Sequence, residues 1–265
     1  MHWGRVSTVL SREWLDLRKN PLIVGTMAAL PTLLVGSVLA MNWVLTHVKE
    51  KESGKEALRF APELASLPSR EAVLIVLNDQ LMMMLLVIPA ILPMTIATYS
   101  IVGEKQTRTL EPLLATPITT TELLLAKTLA AMIPSVLIGW GAIALAVTGV
   151  VLISPPSVAS AIVRPAWIIG GILHAPLISI LSTLASVLAS SRATDPRSAQ
   201  QVGAVFILPI VGLAMAVMFG GLMGGVFLRP YMQLLGALVV ALVDVALLRA
   251  AVRIFDREAI LTRWK

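Results

Sequence analysis

The chain has 265 residues, of which 57% are hydrophobic and only 14% charged, and its formal net charge is +6. Soluble domains carry about a quarter charged residues, so this composition excludes an ordinary water-soluble domain. The absence of cysteine excludes disulfides and thiolate metal sites. A pI near 10.1 suits nucleic-acid binding. In so apolar a chain, however, a bias of Lys and Arg towards inner loops explains the pI better, and we expect no nucleic-acid partner.

The first 20 residues predict an amphipathic helix at a membrane surface, with an unstructured polar tail as the alternative. Apolar side chains recur at helical spacing on one face and charged side chains occupy the other. The apolar set is Val6, Val9, Leu10, Trp14 and Leu17, and the charged set is Arg5, Arg12, Asp16 and Lys19. Asn20-Pro21 should end this helix, because proline lacks a backbone donor and restricts the residue before it.

Long apolar runs predict six membrane-spanning helices after this point: five of the runs are free of charged residues, and in the sixth Asp244 is the only charge from Pro230 to Leu248. A helix needs about 20 apolar residues to cross the hydrocarbon core, and backbone groups in lipid must pair internally, which favours helices. The expected spans are 22–46, 81–102, 128–152, 166–189, 202–224 and 231–251. The predicted fold class is therefore an all-α integral membrane protein, with residues 1–20 at the membrane surface and a six-span domain over 21–265.

The distribution of Lys and Arg predicts that both termini are cytoplasmic. In this orientation the inner segments carry twice as many Lys and Arg as the outer segments, as the positive-inside rule requires. The long segment 47–79 then lies outside and the loop 103–127 lies inside. Segment 47–79 is too short for an independent domain, and it is either a cap over an exit path or a connector.

The inner loop, GEKQTRTLEPLLATPITTTELLLAK over 103–127, carries the most information. We expect Gly103 to end the second span and residues 104–115 to form a short helix. Thr119 and Glu122 have the spacing of a capping box at the start of the third span.

The sequence lacks the motifs of the common enzyme classes, and we expect a chain that is not itself an enzyme. It has no G-x-x-x-x-G-K-[ST], no H-E-x-x-H and no G-x-S-x-G. His174 and Asp244 lie inside spans, where ionisable residues are candidates for function. His174 either contacts a substrate or proton, or bonds to a neighbouring helix. For Asp244, near the inner interface and five residues before Arg249, pairing with a basic group or hydration is the simpler account.

The inner loop resembles that of type-2 ABC exporter permeases, whose pattern is GEKE-x-GTLE-x-LL-x-x-P followed by Glu-Leu and a Lys. The matching positions are Gly103, Glu104, Lys105, Thr109, Leu110, Glu111, Leu113, Leu114, Pro117, Glu122, Leu123 and Lys127. The N-terminal helix, the six spans and residues 255–258 extend the resemblance over the whole chain. The chain departs from the pattern at Arg108, where the family commonly has Gly.

The resemblance implies the membrane subunit of an ABC exporter in a prokaryotic inner membrane. Two such permeases, expected as a homodimer in membrane lipids, would bind two copies of a separate ATPase subunit. That partner would hold ATP and Mg²⁺, and this chain would need no cofactor. Residues 104–115 would be the coupling helix that seats in the ATPase, and residues 1–20 the elbow that touches the same subunit. The expected ATPase-coupling residues are Glu104, Lys105, Gln106, Thr107, Arg108, Thr109, Leu110 and Glu111.

The family also implies a cargo path along the second and fifth spans. The predicted lining is Met84, Ile88, Ile91, Thr95, Val205, Leu208, Gly212 and Met215. Each set recurs every three or four residues on one helical face. Apart from Thr95 the lining is apolar, which favours a lipid, drug or other amphipathic cargo; the alternative is that these residues pack the dimer. Two other functions remain open: an importing or mechanically signalling permease of the same architecture, and a non-ABC channel or secondary carrier.

Overall fold

The computed structural model describes residues 2–47, 66–109, 118–163, 165–193, 195–205 and 230–254, and these ranges consist of α-helices and the turns between them. The helices in chain order are α1 Trp3–Lys19, α2 Pro21–His47, α3 Ser69–Leu85, α4 Ile88–Gln106, α5 Thr120–Ile153, α6 Pro156–Ile162, α7 Pro165–Arg192, α8 over 196–205, and α9 Pro230–Ile254. The prediction of an all-α fold is confirmed for this part of the chain.

Five stretches of the described chain are long and apolar enough to cross a membrane. They are Pro21–His47, Ser69–Gln106, Thr120–Ile153, Gly171–Ser190 and Gln233–Arg253. They correspond to the first, second, third, fourth and sixth predicted spans, so the chain is a multi-pass membrane protein. Of the fifth, 202–224, only the beginning falls within the described residues, as the end of α8. Residues 48–65 of the outer segment 47–79 and residues 110–117 of the inner loop also lie outside them.

The second predicted span, 81–102, is wrong in its extent. Two consecutive helices, α3 and α4, occupy Ser69–Gln106. The prediction began the span after Asp79, but the helix already contains Asn78 and Asp79, because a membrane-protein interior accepts polar side chains whose bonds are satisfied by neighbouring helices. Gly103 does not end the helix either, since α4 continues for three more residues.

A break at Leu86–Val87 separates α3 from α4. The Leu86 and Val87 N–H groups donate to the Met83 and Met84 carbonyls, three residues back, at 3.1 and 3.0 Å. Pro89, close after the break, lacks the N–H group that would continue the α-helical pattern. The two helices therefore meet at a short joint rather than in a continuous hydrogen-bonded helix.

Helices α4 and α7 form the centre of the bundle. Helix α4 packs against α5 and α7, while α9 packs on the other side of α7 and α2 packs on α5 and α3. Helix α1 lies along the start of α5, and α6 follows the end of α5. Helix α5 runs the length of the bundle. The end of the bundle at which α1 lies is called here the α1 end, and the opposite end, at which α6 lies, is called the α6 end. Helices α2 and α9 are peripheral and expose apolar side chains such as Leu33 and Leu242.

Serine hydroxyls of α7 fix the position of α4. Pro93 has no N–H group, so the Pro89 carbonyl, four residues earlier, lacks its helical donor. Ser179 donates its hydroxyl hydrogen to that carbonyl at 3.0 Å, and Ser182 donates to the Ala90 carbonyl. Both serines are fully buried. A carbonyl freed by proline inside a membrane protein is thus satisfied by the neighbouring helix, as the hydrocarbon environment demands.

Candidate functional site

The end of α4, the start of α5 and helix α1 meet at the α1 end of the bundle. The capping box predicted for the start of α5 is confirmed. The Glu122 N–H donates to the Thr119 hydroxyl at 3.2 Å, and the Glu122 carboxylate accepts from the Thr119 N–H at 3.0 Å. This reciprocal pair satisfies two of the orphan donors at a helix start and fixes where the loop becomes α5.

Glu122 also reaches the beginning of α1. Its second carboxylate oxygen accepts the His2 N–H at 2.7 Å, and the Arg5 guanidinium lies 3.9 Å from the carboxylate. A carboxylate at a helix N-terminus interacts favourably with the positive end of the helix dipole. Glu122 therefore joins the starts of two helices, α1 and α5, and the side chain is 2% exposed.

A buried ion cluster lies one turn further along α5. The Lys127 ammonium is 2.6 Å from a Glu13 oxygen of α1 and 2.8 Å from a Glu104 oxygen of α4. The ammonium also donates to the Ser100 hydroxyl of α4 at 2.7 Å, and that hydroxyl donates to the other Glu13 oxygen at 2.7 Å. Lys127 is 3% exposed. Helices α1, α4 and α5 therefore converge on one buried side chain.

The charges in this cluster stabilise one another. Burial by itself raises the pKa of Glu13, but the Lys127 charge and the hydrogen bonds from Lys127 and Ser100 hold that pKa below its ordinary value. Glu13 is therefore ionised at neutral pH. Removing one member of a buried pair leaves the other charge without a partner, at a cost of about 3–5 kcal/mol.

Sequence reasoning missed Glu13 and Ser100. Glu13 lies on the same face of α1 as Val6, Val9 and Leu17, all of which are buried. A carboxylate in the middle of a buried helical stripe signals a buried cation elsewhere in the chain. The sequence contained this signal. The basic residue that pairs with Glu13 could not be identified, however, without the packing of α1 on α5.

Helix α4 ends in a tight turn that gives Arg108 an unusual backbone conformation. The Arg108 N–H donates to the Lys105 carbonyl at 3.1 Å and the Thr109 N–H donates to the Glu104 carbonyl at 3.0 Å, the two bonds of a Schellman motif. Arg108 has φ of 54°, in the left-handed region that favours glycine. The departure from the family pattern therefore lies at the position where the backbone calls for glycine.

The eight predicted coupling residues divide into three groups. Glu104 is buried against Lys127, and Lys105 donates to the Ser190 carbonyl in the last turn of α7. Gln106, Thr107 and Arg108 are exposed, and Thr109 is half-buried. Leu110 and Glu111 lie outside the described residues, as does the second half of the predicted helix 104–115, of which 104–106 belong to α4. Contact of these residues with an ATPase stays a prediction.

The predicted cargo-path residues are only partly described. Ile88 and Thr95 are buried within the subunit, and the Thr95 hydroxyl donates to the Ile91 carbonyl of its own helix at 3.1 Å. Met84 and Ile91 are half-buried, and Val205 is 64% exposed. The remaining three, Leu208, Gly212 and Met215, fall outside the described ranges. A role of this set in cargo transport stays a prediction.

Asp244 and His174 both lie where α9 meets α7. Asp244 is 6% exposed, and neither carboxylate oxygen has a hydrogen-bond partner among the described residues. Arg249 is exposed and about 140° around the helix from Asp244, so the expected pairing with a nearby basic group is not seen. The His174 ring lies 3.5 Å from the point that a Cβ on Gly236 would occupy, which favours the interpretation of His174 as a helix-packing residue.

Comparison with known sequences identifies one family. The sequence family described as "ABC-2 family transporter protein" matches residues 66–242, about two thirds of the chain. The match begins just before α3 and includes α4, the inner loop, α5 and α7. No curated protein matches the chain.

Proposed function

Because the chain belongs to the ABC-2 transporter family, we propose that it is the membrane subunit of an ATP-driven exporter in a prokaryotic inner membrane. Membership in this family implies an ABC ATPase as partner and a transport component rather than an enzyme. In the proposed complex two copies of this chain bind two ATPase subunits, which hold ATP and Mg²⁺. Both termini are cytoplasmic, so the α1 end faces the cytoplasm.

The observation that carries the proposal is an ion pair between the two helices that flank the inner loop. Glu104 at the end of α4 and Lys127 near the start of α5 are 2.8 Å apart, and both are buried. Movement of the loop therefore displaces α4 and α5 together. An ATPase whose subunits close on ATP needs such a stiff contact if it is to move membrane helices.

Exposed groups at the turn after α4 are the proposed contact with the ATPase. Gln106, Thr107 and Arg108 are exposed at this turn and carry amide, hydroxyl and guanidinium groups. Glu104 and Lys105, in the turn of helix before them, hold α4 to α5 and to the end of α7. In this arrangement the ATPase acts on the exposed residues, and the buried residues transmit its movement to the spans that contain α4, α5 and α7.

The proposed cargo is hydrophobic or amphipathic, such as a lipid or a drug. The described spans carry few charged side chains, and in the proposed path residues of α3 and α4 only Thr95 is polar. Such a surface contacts apolar groups without strong polar anchors. It suits cargo that partitions into the bilayer better than a bare ion, whose hydration shell would have to be replaced.

A crosslinking experiment tests the partner and its location. A photoreactive amino acid is placed at Thr107, and the affinity-tagged chain is purified from native membranes after illumination. We expect an ABC ATPase crosslinked to Thr107. The same residue at Leu152, which is 79% exposed at the α6 end, is the matched control and should capture no ATPase. An ATPase captured from Leu152 but not from Thr107 contradicts the proposed placement, and a complex without any ATPase contradicts the function.

Transport direction is measured separately in inside-out membrane vesicles. Export predicts that ATP drives a fluorescent amphipathic compound into the vesicle lumen. Efflux of preloaded compound under the same conditions would indicate an importer.

A further inference from the structure

A second buried polar cluster lies towards the α6 end, and the proposed function does not use it. The side-chain amides of Asn42 in α2 and Asn78 in α3 bond to each other in both directions, at 2.7 and 2.8 Å. Ser154, directly after α5, donates its hydroxyl hydrogen to the Asn42 oxygen at 3.1 Å. Both asparagines are 1% exposed. One contact therefore joins α2, α3 and the end of α5.

The two amides leave none of their N–H groups without an acceptor. Asn42 donates its other N–H to the Val38 carbonyl, and Asn78 donates its other N–H to the Leu74 carbonyl, both at 2.8 Å. Polar bonds between helices specify their mutual position, because the alternative is an unpaired amide in an apolar surrounding. The cluster thus has two defined states: fully bonded, or separated with the amides hydrated.

Two more polar contacts hold α3 at the same end. Arg70, in the first turn of α3, donates to the Leu45 carbonyl of α2. Glu71 accepts the hydroxyl hydrogen of Ser157 in α6. At this end of the bundle, hydrogen bonds therefore connect α3 to α2 and to α6.

Helix α4, on the other side of the Leu86–Val87 break, has different partners. It is held by Lys127 of α5 and by Ser179 and Ser182 of α7. The break thus divides Ser69–Gln106 into two helices that are anchored to different parts of the bundle. Bending at this joint breaks no continuous run of α-helical bonds, because the bonds there already span three residues rather than four.

We propose that the Asn42–Asn78–Ser154 cluster is a latch that holds the outer side of the permease closed and opens in each transport cycle as α3 bends away at Leu86–Val87. This inference rests on the proposed function, which requires the side opposite the ATPase to open for cargo release. It assigns Asn42 and Asn78 as positioning residues of transport. Helix α3 moves, whereas α2 stays on α5: a Cβ on Gly149 of α5 would lie 2.3 Å from a Leu39 methyl carbon of α2, so these two helices are in close contact.

Reversible crosslinking tests whether the latch must open. The chain contains no cysteine, so Asn42→Cys and Asn78→Cys can be introduced together and bridged by a short bifunctional thiol reagent that a reductant cleaves. We expect bridging to lower ATP-driven export roughly tenfold or more, and reduction to restore it. The matched control is the pair Leu39→Cys and Gly149→Cys, whose bridging should leave export unchanged because α2 and α5 do not separate.

The outcomes separate the latch from the proposed function. If the bridged Asn42→Cys/Asn78→Cys protein exports as fast as its unbridged form, the contact is static and the latch is overturned. Absence of ATP-driven export in the unmodified chain overturns the proposed function itself. Should the cysteine pair fail to fold, Ser154→Cys gives a second measurement. Its labelling by an impermeant thiol reagent should accelerate severalfold during ATP turnover, and an unchanged rate overturns the latch.

Discussion

At the scale of single residues, Arg108 at the end of α4 occupies the position at which the loop sequence departs from its family. Arg108 adopts the left-handed conformation with φ of 54°, which costs a residue with a Cβ about 1–2 kcal/mol relative to its ordinary conformation. Glycine, the common family residue, carries no such cost.

Replacement of Arg108 by glycine should stabilise the isolated chain. We expect Arg108→Gly to raise the free energy of unfolding by about 1 kcal/mol, because the backbone strain is relieved. Arg108→Ala keeps the Cβ and should show little gain. Thermal unfolding of the detergent-purified variants measures the difference. A glycine variant less stable than the alanine variant would mean that the turn is not strained.

How much of the site could be predicted from the sequence depends on whether a residue's partner is near in the chain. The capping box of Thr119 and Glu122 is local, and it was predicted correctly. Glu13 bonds to Lys127 across 114 positions of sequence, and no local pattern identifies that pair. Glu104 was recognised through the loop pattern, yet its burial against Lys127 follows only from the packing of three helices.

At the scale of elements, the contact between α4 and α7 shows how the fold tolerates proline in a central helix. Ser179 replaces the donor that Pro93 removes from the Pro89 carbonyl. We expect Ser179→Ala to destabilise the chain by about 1–3 kcal/mol, because it leaves a buried carbonyl without a partner. Pro93→Ala restores a backbone donor, so the double variant should be more stable than Ser179→Ala alone.

A thermal-unfolding double-mutant cycle measures this coupling. Thr183→Val is the matched control, because the Thr183 hydroxyl donates to the Ser179 carbonyl of its own helix and leaves no carbonyl of α4 unpaired when removed. Additive effects of Ser179→Ala and Pro93→Ala would show that the serine does not serve the proline.

The ends of a helix could be predicted where an apolar run stops at a charged residue. They could not be predicted where polar residues lie inside the helix. The first, third and fourth spans follow from charge-free runs, and the sixth follows from a run whose only charge up to Leu248 is Asp244. Helix α3 was missed because Asn78 and Asp79 interrupt the apolar pattern. The amide partner of Asn78 is on α2, 36 positions away, so only the packing shows why a polar residue is acceptable there.

For the whole molecule, orientation decides which end meets the ATPase. The distribution of Lys and Arg predicts that the α1 end faces the cytoplasm, and we therefore expect Ser66 outside and Thr107 inside. Single cysteines at these two exposed positions can be labelled with an impermeant thiol reagent. We expect Ser66→Cys to react in intact cells and Thr107→Cys to react only after permeabilisation. The reverse pattern would place the loop on the outer side.

The α1 end is the part of the molecule in which local sequence, packing and proposed function agree. The inner loop begins and ends at helices joined by Lys127 and Glu104, and α1 is bound to the same lysine through Glu13. Lys105 adds the end of α7. In the proposed mechanism these contacts pass a movement of the exposed turn to α1, α4, α5 and α7.

The most direct measurement of this account is cargo-stimulated ATP hydrolysis by the reconstituted permease–ATPase complex carrying Glu104→Ala. The account predicts that the ATPase still binds, because the exposed turn is intact, while stimulation by cargo falls roughly tenfold or more because α4 is no longer tied to Lys127. Arg253→Ala, which removes an exposed charge in the last turn of α9, is the control and should hydrolyse ATP normally. Full stimulation in the Glu104→Ala complex would contradict the central claim that the buried tie transmits movement from the ATPase to the spans.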